Sequence, residues 1–517
     1  MLKYKVSQHK EGILLIMLTV LNIILRIPSI PHEKGADSFF IHSLANSISY
    51  FGHANWWVHW LSVFGYYPYS YASAIPFSLS GISQLTGIEM ENTILLFCIA
   101  LGLYSIFSAY LLAGVLYDNF LFKYSMAFFY SISQGIMFFT TWEISSRGPL
   151  IIFFPIFMYL IMKKFHYAKR LFLIFISSIF LFSIHHLAII LVPVILLYIL
   201  FNVLQKLSLK NEAIKNKYTH FDYLYPILLI TMLTFPFLNS STTGIEGSRY
   251  SWIINSMIIV ARFIGPMLFF AFGGLIYLIT QKNKKFNIWY FLLMISMFVA
   301  FIYDQLYGIF VLQIYIIFLL TVGFNNILNL KKIKHSKSIQ MLLIVILLSS
   351  VTFSSYYNHY RSGNSQDVWH MDEKTFTTGE WINNNIDKDK RVLFVTENQY
   401  RVRSIALQLN GSPILRGGTE GLTYGFIDKN SIKNLEKVSL TDSYFYSESP
   451  YKMTTRDIFQ SENWYIQNKR INKIKEVYNQ DYIVQSLSYF RLIGFYESEI
   501  DKIFSNGMLE IYDTRNI

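Results

Sequence analysis

Asp37 stands in Pro31-His32-Glu33-Lys34-Gly35-Ala36-Asp37-Ser38, just beyond the first long apolar run of the chain. A carboxylate held there, beside a phosphate carried in lipid, could take the proton from an acceptor hydroxyl. A sugar phosphate departs with little acid help. One base then suffices for an inverting displacement, whereas glycoside hydrolysis needs two carboxylates. The competing reading is that Asp37 caps the helix that starts there, a role Asp favours. The two roles are compatible.

A second acidic segment reads Thr140-Thr141-Trp142-Glu143-Ile144-Ser145-Ser146-Arg147-Gly148-Pro149. Glu143 could join Asp37 in gripping an acceptor or sharing a divalent cation such as Mg or Mn. As a lone residue it also reads as a solvated loop glutamate. Arg147 precedes Gly148-Pro149, and Pro suits the first turn of a helix. A guanidinium at a helix N-terminus makes an anion site, and an Arg snorkelling to lipid phosphate would look the same in sequence. His185 and His186 fall at the tip of a helix pair, where they could bind phosphate. A shared metal is disfavoured, because neighbours on a helix point apart. Arg249, near Glu246, and Asp304 are further ionisable candidates at the membrane rim. Tyr66 and Tyr67 join Trp56, Trp57, Trp60 and Tyr69 in an aromatic cluster that suits a membrane interface, where they could contact substrate.

The elements that must position these residues are mostly apolar helices. Of 517 residues, 53% are hydrophobic, and the mean hydropathy of +0.36 is high for a soluble protein of this length. A span needs roughly 20 apolar residues. About eleven stretches qualify by that measure: 11–28, 92–116, 120–140, 148–163, 169–184, 187–204, 222–239, 265–281, 287–303, 306–326 and 336–357. Four loops carry the Lys and Arg: Lys163 to Arg170, Lys206 to Lys217, Lys282 to Lys285, and Lys331 to Lys337. The positive-inside bias makes these cytoplasmic, with the N-terminus. Residues 141–147 are then outside, as is everything from Ile30 to Glu91. The stretch 71–86, with its Ser residues, Pro76 and Gly81, reads as a helix lying at the interface rather than a span. Residues 251–264 read as a surface or re-entrant helix broken at Gly265-Pro266.

The expected fold is an α-helical polytopic membrane protein with a C-terminal extracytoplasmic α/β domain. The division falls between residues 1–357 and 358–517. The second part alternates strand-like runs (392–396, 482–485, 509–512) with helical ones (373–386, 399–409, 467–479). Lys3, Lys5 and Lys10 precede the first apolar run without a small-residue cleavage site, so this run reads as an uncleaved helix. The single cysteine, Cys98, excludes an internal disulfide. The charge of +12 reads as a topology signal rather than a nucleic-acid signal. No GxGxxG, Walker, CxxC or HExxH motif is present, which removes support for nucleotide-fold and zinc-protease chemistry. Asn239-Ser240-Ser241 and Asn410-Gly411-Ser412 match the glycosylation sequon, a short and unspecific pattern.

A first helix, a long outer loop opening on Lys34-Gly35-Ala36-Asp37-Ser38, a second acidic outer loop from Glu143 to Arg147, and a polar domain after the last span together resemble the GT-C membrane glycosyltransferases. That family includes protein O-mannosyltransferases, aminoarabinose transferases and oligosaccharyltransferase catalytic subunits. The resemblance implies that Asp37 acts as base or acceptor-orienting group and that Glu143 is the second acidic residue. The phosphate ligands would come from Arg147, His185, His186 and Arg249. It also implies a polyprenyl-phosphate sugar donor and a glycan, lipid or protein acceptor, with metal dependence open. The Trp-Trp-Asp-Tyr-Gly motif of oligosaccharyltransferases is missing, and Gly379-Glu380-Trp381 does not replace it. Single-sugar transfer is therefore expected rather than en bloc transfer to Asn. The richness in Ile, Lys, Asn and Tyr points to an archaeal or bacterial source. The rival expectations are a flippase or a polymerase of lipid-linked glycans. A transporter would carry ionisable groups at mid-membrane, whereas here they map to the rim.

Overall fold

The computed structural model describes residues 8–57, 59–66, 70–210, 225, 227–231, 249–281, 284–302, 307–329, 336–363, 369–396, 399–407, 412–413, 480–487 and 500–516. Tyr67, Tyr69, Asp304, the first sequon, residues 410–411 of the second, residues 240–248 of one expected loop and the helix expected at 467–479 lie outside the described residues.

The first helix, α1 (Gln8–Ile24), is apolar and ends beside Arg26, which is fully buried. The Arg26 guanidinium donates to Asn22 Oδ1 at 2.7 Å, to the Asn22 carbonyl at 3.1 Å, to the Ser131 carbonyl at 2.8 Å and to Thr140 Oγ1 at 3.0 Å. Carbonyls near helix C-termini carry partial negative charge, so a cation is well placed there. A side chain on Gly102 would collide with the guanidinium. After this anchor come α2 (Ala36–Phe51), a 3₁₀ turn (Trp60–Phe64) and α3 (Ala74–Thr86). At 13 residues α3 is too short to cross a bilayer.

The bundle continues with α4 (Met90–Leu116), α5 (Phe120–Ser131), the single turn α6 (Gln134–Met137), α7 (Arg147–Met162), α8 (Tyr167–Ile184) and α9 (Leu191–Lys210). It then runs through α10 (Arg249–Ile264), α11 (Phe269–Thr280), α12 (Phe286–Ile302), α13 (Tyr307–Leu328) and α14 (Lys337–Gly363). Helices α10 and α11 meet at 100°. The hinge is Gly265, whose φ of 91° strains any residue with a side chain. The sequence places the break at this residue. Helices α11 and α13 cross in backbone contact: a Cβ on Gly274 would overlap the Leu319 carbonyl, and one on Gly323 the Phe270 carbonyl. Small residues at such crossings are the usual device in lipid, where burial alone drives no association.

Among the described residues, five helices are long and apolar enough to cross a membrane, or six if the bent pair counts as one span. The expected count of about eleven is not confirmed. Several apolar stretches fold as helices that are short for a bilayer, α5 with 12 residues and α7 with 16 among them. The apolar faces of α8 and α14 are mostly exposed, as lipid solvation requires.

The C-terminal part builds a five-stranded sheet from β1 (Val392–Val395), β2 (Ser412–Pro413), β3 (Tyr482–Ser486), β4 (Asp501–Ser505) and β5 (Leu509–Asp513), in the order β2-β1-β3-β5-β4. Strand β1 is parallel to β2 and β3, while β3/β5 and β5/β4 are antiparallel. The central strands are buried throughout; β1 is wholly apolar, as a strand covered on both faces tends to be, whereas β3 also buries Gln485 and Ser486. Two helices accompany the sheet, α15 (Glu373–Asn385) and α16 (Gln399–Ala406). Asp372 caps α15, accepting from the Thr375 amide at 2.9 Å. Helix α16 lies on α2: Phe40 meets Tyr400 with ring centroids 5.1 Å apart, and Asn46 donates to the Ser404 carbonyl at 3.1 Å.

Candidate active site between the first two long loops

Helix α2 begins without a side-chain cap, on Gly35. Asp37 therefore does not cap it. It sits in the first turn, where the helix dipole favours a carboxylate, and its Oδ2 turns to the second acidic segment. Ser145 Oγ donates to Asp37 Oδ2 at 2.9 Å, and Arg147 Nη2 stands 3.5 Å from the same oxygen. The Asp37 side chain keeps 45% of its surface exposed, so a substrate can reach it. Sequence reasoning placed Asp37, Glu143 and Arg147 together, and the structure does bring them together.

Gly35 has a φ of 96°, and a Cβ there would lie 2.6 Å from Glu143 Cγ. Both backbone conformation and close approach demand glycine. The contact is stitched by backbone bonds, the Lys34 amide donating to the Trp142 carbonyl at 3.1 Å and the Gly35 amide to the Trp369 carbonyl at 2.7 Å. Trp142, directly before Glu143, holds a φ of 57°. Such strain in a non-glycine persists only where surroundings enforce it. Here the Trp142 indole donates to the Glu91 carbonyl at 3.1 Å.

Glu143 is not a solvated loop residue; it is 9% exposed. Burial pushes its carboxyl up to about 8, against the opposing pull of Lys34 and with a smaller push from Asp37. Lys34 is itself buried, and burial lowers its ammonium below the usual range while Glu143 partly holds it up. No cluster of three or more His, Cys, Asp or Glu able to hold a metal exists among the described residues. With Asp37 Oδ2 engaged by a hydroxyl and a guanidinium and Glu143 beside a buried lysine, this donor set does not fit a divalent cation.

Arg147 opens α7, whose N-cap residue is Ser146. The Tyr71 hydroxyl donates to Ser146 Oγ at 3.0 Å, and burial holds the Tyr71 phenol well above its usual range, with the charge of Asp37 adding to the effect. His185 is buried and accepts from the Leu187 amide on Nδ1 at 2.9 Å. Its proton therefore resides on Nε2, which makes a donor. Burial, then the nearby His186 and Arg147, lower its pKa to about 3, so it stays neutral. The His185 and His186 rings lie 4.3 Å apart. Tyr66 donates to the His186 carbonyl at 3.2 Å. It joins the histidine edge rather than Asp37, and burial raises its phenol to about 12. Trp56, expected at the membrane interface, is fully buried. Its indole donates to the Tyr71 carbonyl and Ser73 Oγ, and its ring packs with Leu44 and Ile48 of α2. Trp57 and Trp60 are exposed. Arg249 opens α10, but its side chain, with Tyr67 and Asp304, lies outside the described residues.

Sequence reasoning missed Glu33, Lys34, Ser38, His42, Tyr71 and Ser145. Glu33, Lys34 and Ser38 lie within the quoted motif. Three titratable residues in six positions ahead of a helix were the available signal. Tyr71 carried none.

The first two long loops of this helical membrane protein bring a carboxylate and a guanidinium together, with the imidazole that follows α8 near the guanidinium, and the chain has the fold of the GT-C glycosyltransferases. No family model matches the chain, and no curated protein matches it by sequence. Solved structures do match. The oligosaccharyltransferase of Archaeoglobus fulgidus, tethered to an acceptor peptide, superposes with a TM-score of 0.56 at 10% identity, over 93% of this chain and 69% of that one. ArnT from Cupriavidus metallidurans, bound to undecaprenyl phosphate, gives 0.54 at 10% identity over 98% of both chains. The mycobacterial arabinofuranosyltransferase AftD gives 0.52 at 11% identity, over 98% of this chain but 40% of that one.

Proposed function

We propose that this protein is a membrane glycosyltransferase that moves a single sugar from a polyprenyl-phosphate carrier to a hydroxyl acceptor at the extracytoplasmic face. The observation that carries the reading is Asp37. It is half-exposed and anchored through one oxygen by Ser145 and Arg147, inside a fold shared with enzymes solved with undecaprenyl phosphate and with dolichol phosphate. Asp37 takes the proton of the acceptor hydroxyl. The acceptor oxygen attacks the anomeric carbon as the bond from that carbon to the phosphate oxygen breaks, and the phosphate leaves on its lipid with the bonding electrons. The sugar inverts. Arg147, at the N-terminus of α7, and the Nε2–H of His185 supply the donors for the departing phosphate. Glu143 and Lys34 hold the two loops together and carry no metal. The Lys-rich loops support the orientation, with residues 30–91 and the C-terminal domain outside. The near-equal coverage of this chain and ArnT supports a transferase of comparable size.

Purified protein incubated with a panel of radiolabelled polyprenyl-phosphate sugars tests the reading. Label should move to a lipid, glycan or protein acceptor with at least one donor. Retention of label on the carrier across the whole panel, with an active transferase run in parallel, would reject it.

A further inference from the structure

Ser38 and His42 lie four residues apart on α2, on one face of the helix, and both reach the same carboxylate. Ser38 Oγ stands 3.0 Å from Glu33 Oε2, and His42 Nδ1 stands 2.6 Å from Glu33 Oε1. All three side chains are buried: Glu33 and Ser38 are 0% exposed and His42 is 3% exposed. The Glu33 main chain is also engaged, its amide donating to Glu91 Oε1 at 2.9 Å and its carbonyl accepting from the Met371 amide at 3.3 Å.

A carboxylate only accepts, so the single hydroxyl hydrogen of Ser38 is committed to Glu33. The Ser38 oxygen is then left as an acceptor. It receives the Ile144 amide at 3.2 Å. Ile144 sits between Glu143 and Ser145, and Ser145 holds Asp37. One polarised sequence of bonds thus runs from Glu33 through Ser38 to the backbone of the second acidic segment. Asp37, adjacent to Ser38 on the helix, points around the axis to the same segment.

We propose that Glu33 is the positioning residue of this site: by orienting the Ser38 hydroxyl it fixes the Ile144 backbone, and with it the approach of Ser145 and Arg147 to Asp37. Water cannot substitute, because the group is sealed from solvent. The catalytic consequence rests on the transferase reading above; the positional one does not.

Glu33→Met keeps the side-chain length but replaces both carboxylate oxygens, so Ser38 finds no carboxylate acceptor there. The full-length protein in nanodiscs should then show amide exchange of residues 142–147 about tenfold faster than wild type, the scale of one lost buried hydrogen bond. Ser38→Ala should do the same, while Ser38→Thr, which retains the hydroxyl, should keep the protection. In the transfer assay, Glu33→Met should lower kcat about 100-fold, the scale of a small misplacement at a reacting centre, with KM for the donor within about twofold because no substrate contact is removed. Unchanged exchange in a folded Glu33→Met or Ser38→Ala protein overturns the proposal, and so does a raised KM at constant kcat. If Glu33→Met does not fold, the Ser38 pair reads the same bond. Faster exchange alongside a wild type that transfers no sugar supports the positioning role and rejects only the transferase reading.

Discussion

Ser145 Oγ donates a 2.9 Å hydrogen bond to Asp37 Oδ2 across 108 residues of sequence. This bond joins the first turn of α2 to the segment that leads into α7. The aspartate is thus committed to the second loop rather than to its own helix. Arg147, at 3.5 Å from the same oxygen, balances its charge. The geometry leaves the proposed base anchored through one oxygen and still reachable.

Asp37→Asn removes the proposed base but keeps the hydrogen-bond acceptor for Ser145. Transfer should fall by roughly 10²–10⁴, the usual worth of a positioned general base, while binding of the carrier phosphate persists. Equal turnover by the Asn variant in the radiolabel assay would remove Asp37 from the chemistry.

Gly35→Ala and Gly52→Ala form a matched pair. Both glycines have positive φ, 96° and 73°. An alanine at 52 meets nothing within 4 Å, whereas one at 35 strikes Glu143. The left-handed conformation alone costs about 1–2 kcal/mol. Gly35→Ala should therefore lower the melting temperature more than Gly52→Ala and also abolish transfer. Indistinguishable melting and activity in the two variants would contradict the close approach of the loops.

Glu143 gives the fold a pH dependence. Its pKa is raised from 4.5 to about 8 by burial, so the native state holds a proton that the unfolded chain releases. Stability from this group is present below about pH 4.5 and is lost as pH rises through about 8. The melting temperature of wild type should decline across that window, while Glu143→Gln, which carries no titrating group, should decline less. Parallel pH profiles for the two proteins would argue against a buried, protonated Glu143.

His32 links three parts of the chain: Nδ1 lies 3.3 Å from Glu91, Nε2 lies 3.4 Å from Glu373 of α15, and the ring stacks on Phe376 at 3.7 Å. Burial disfavours its charged form, but the bonds and charges of Glu91 and then Glu373 outweigh this and raise its pKa above the usual value of 6.5. Its contribution is present below about pH 6.5 and is lost as pH rises through the raised value. Amide exchange along residues 373–385 should accelerate as pH rises, after correction for intrinsic exchange. His32→Gln should flatten that trend, and a trend of equal slope in both proteins would exclude His32 as its source.

Much of the molecule is legible in the residues themselves. Apolar runs announced the helices, because a chain in lipid must satisfy its backbone internally. Val392–Val395, Tyr482–Ser486 and Leu509–Asp513 are strands where strand-like runs stood. Gly265-Pro266 marked the bend. Asp37, Glu143 and Arg147 were suspect because charge is rare beside such runs. Only the tertiary structure decided the rest. It chose between a cap and an inter-loop partner for Asp37, buried Glu143 and Trp56, and recruited Glu33, Ser38 and Tyr71. Apolarity reports that a segment avoids water, but neither how long its helix grows nor what it faces, so the number of spans was not readable. Hydrogen bonds between positions such as 38 and 144 depend on how two loops pack, and local sequence carries no record of a partner 106 residues away.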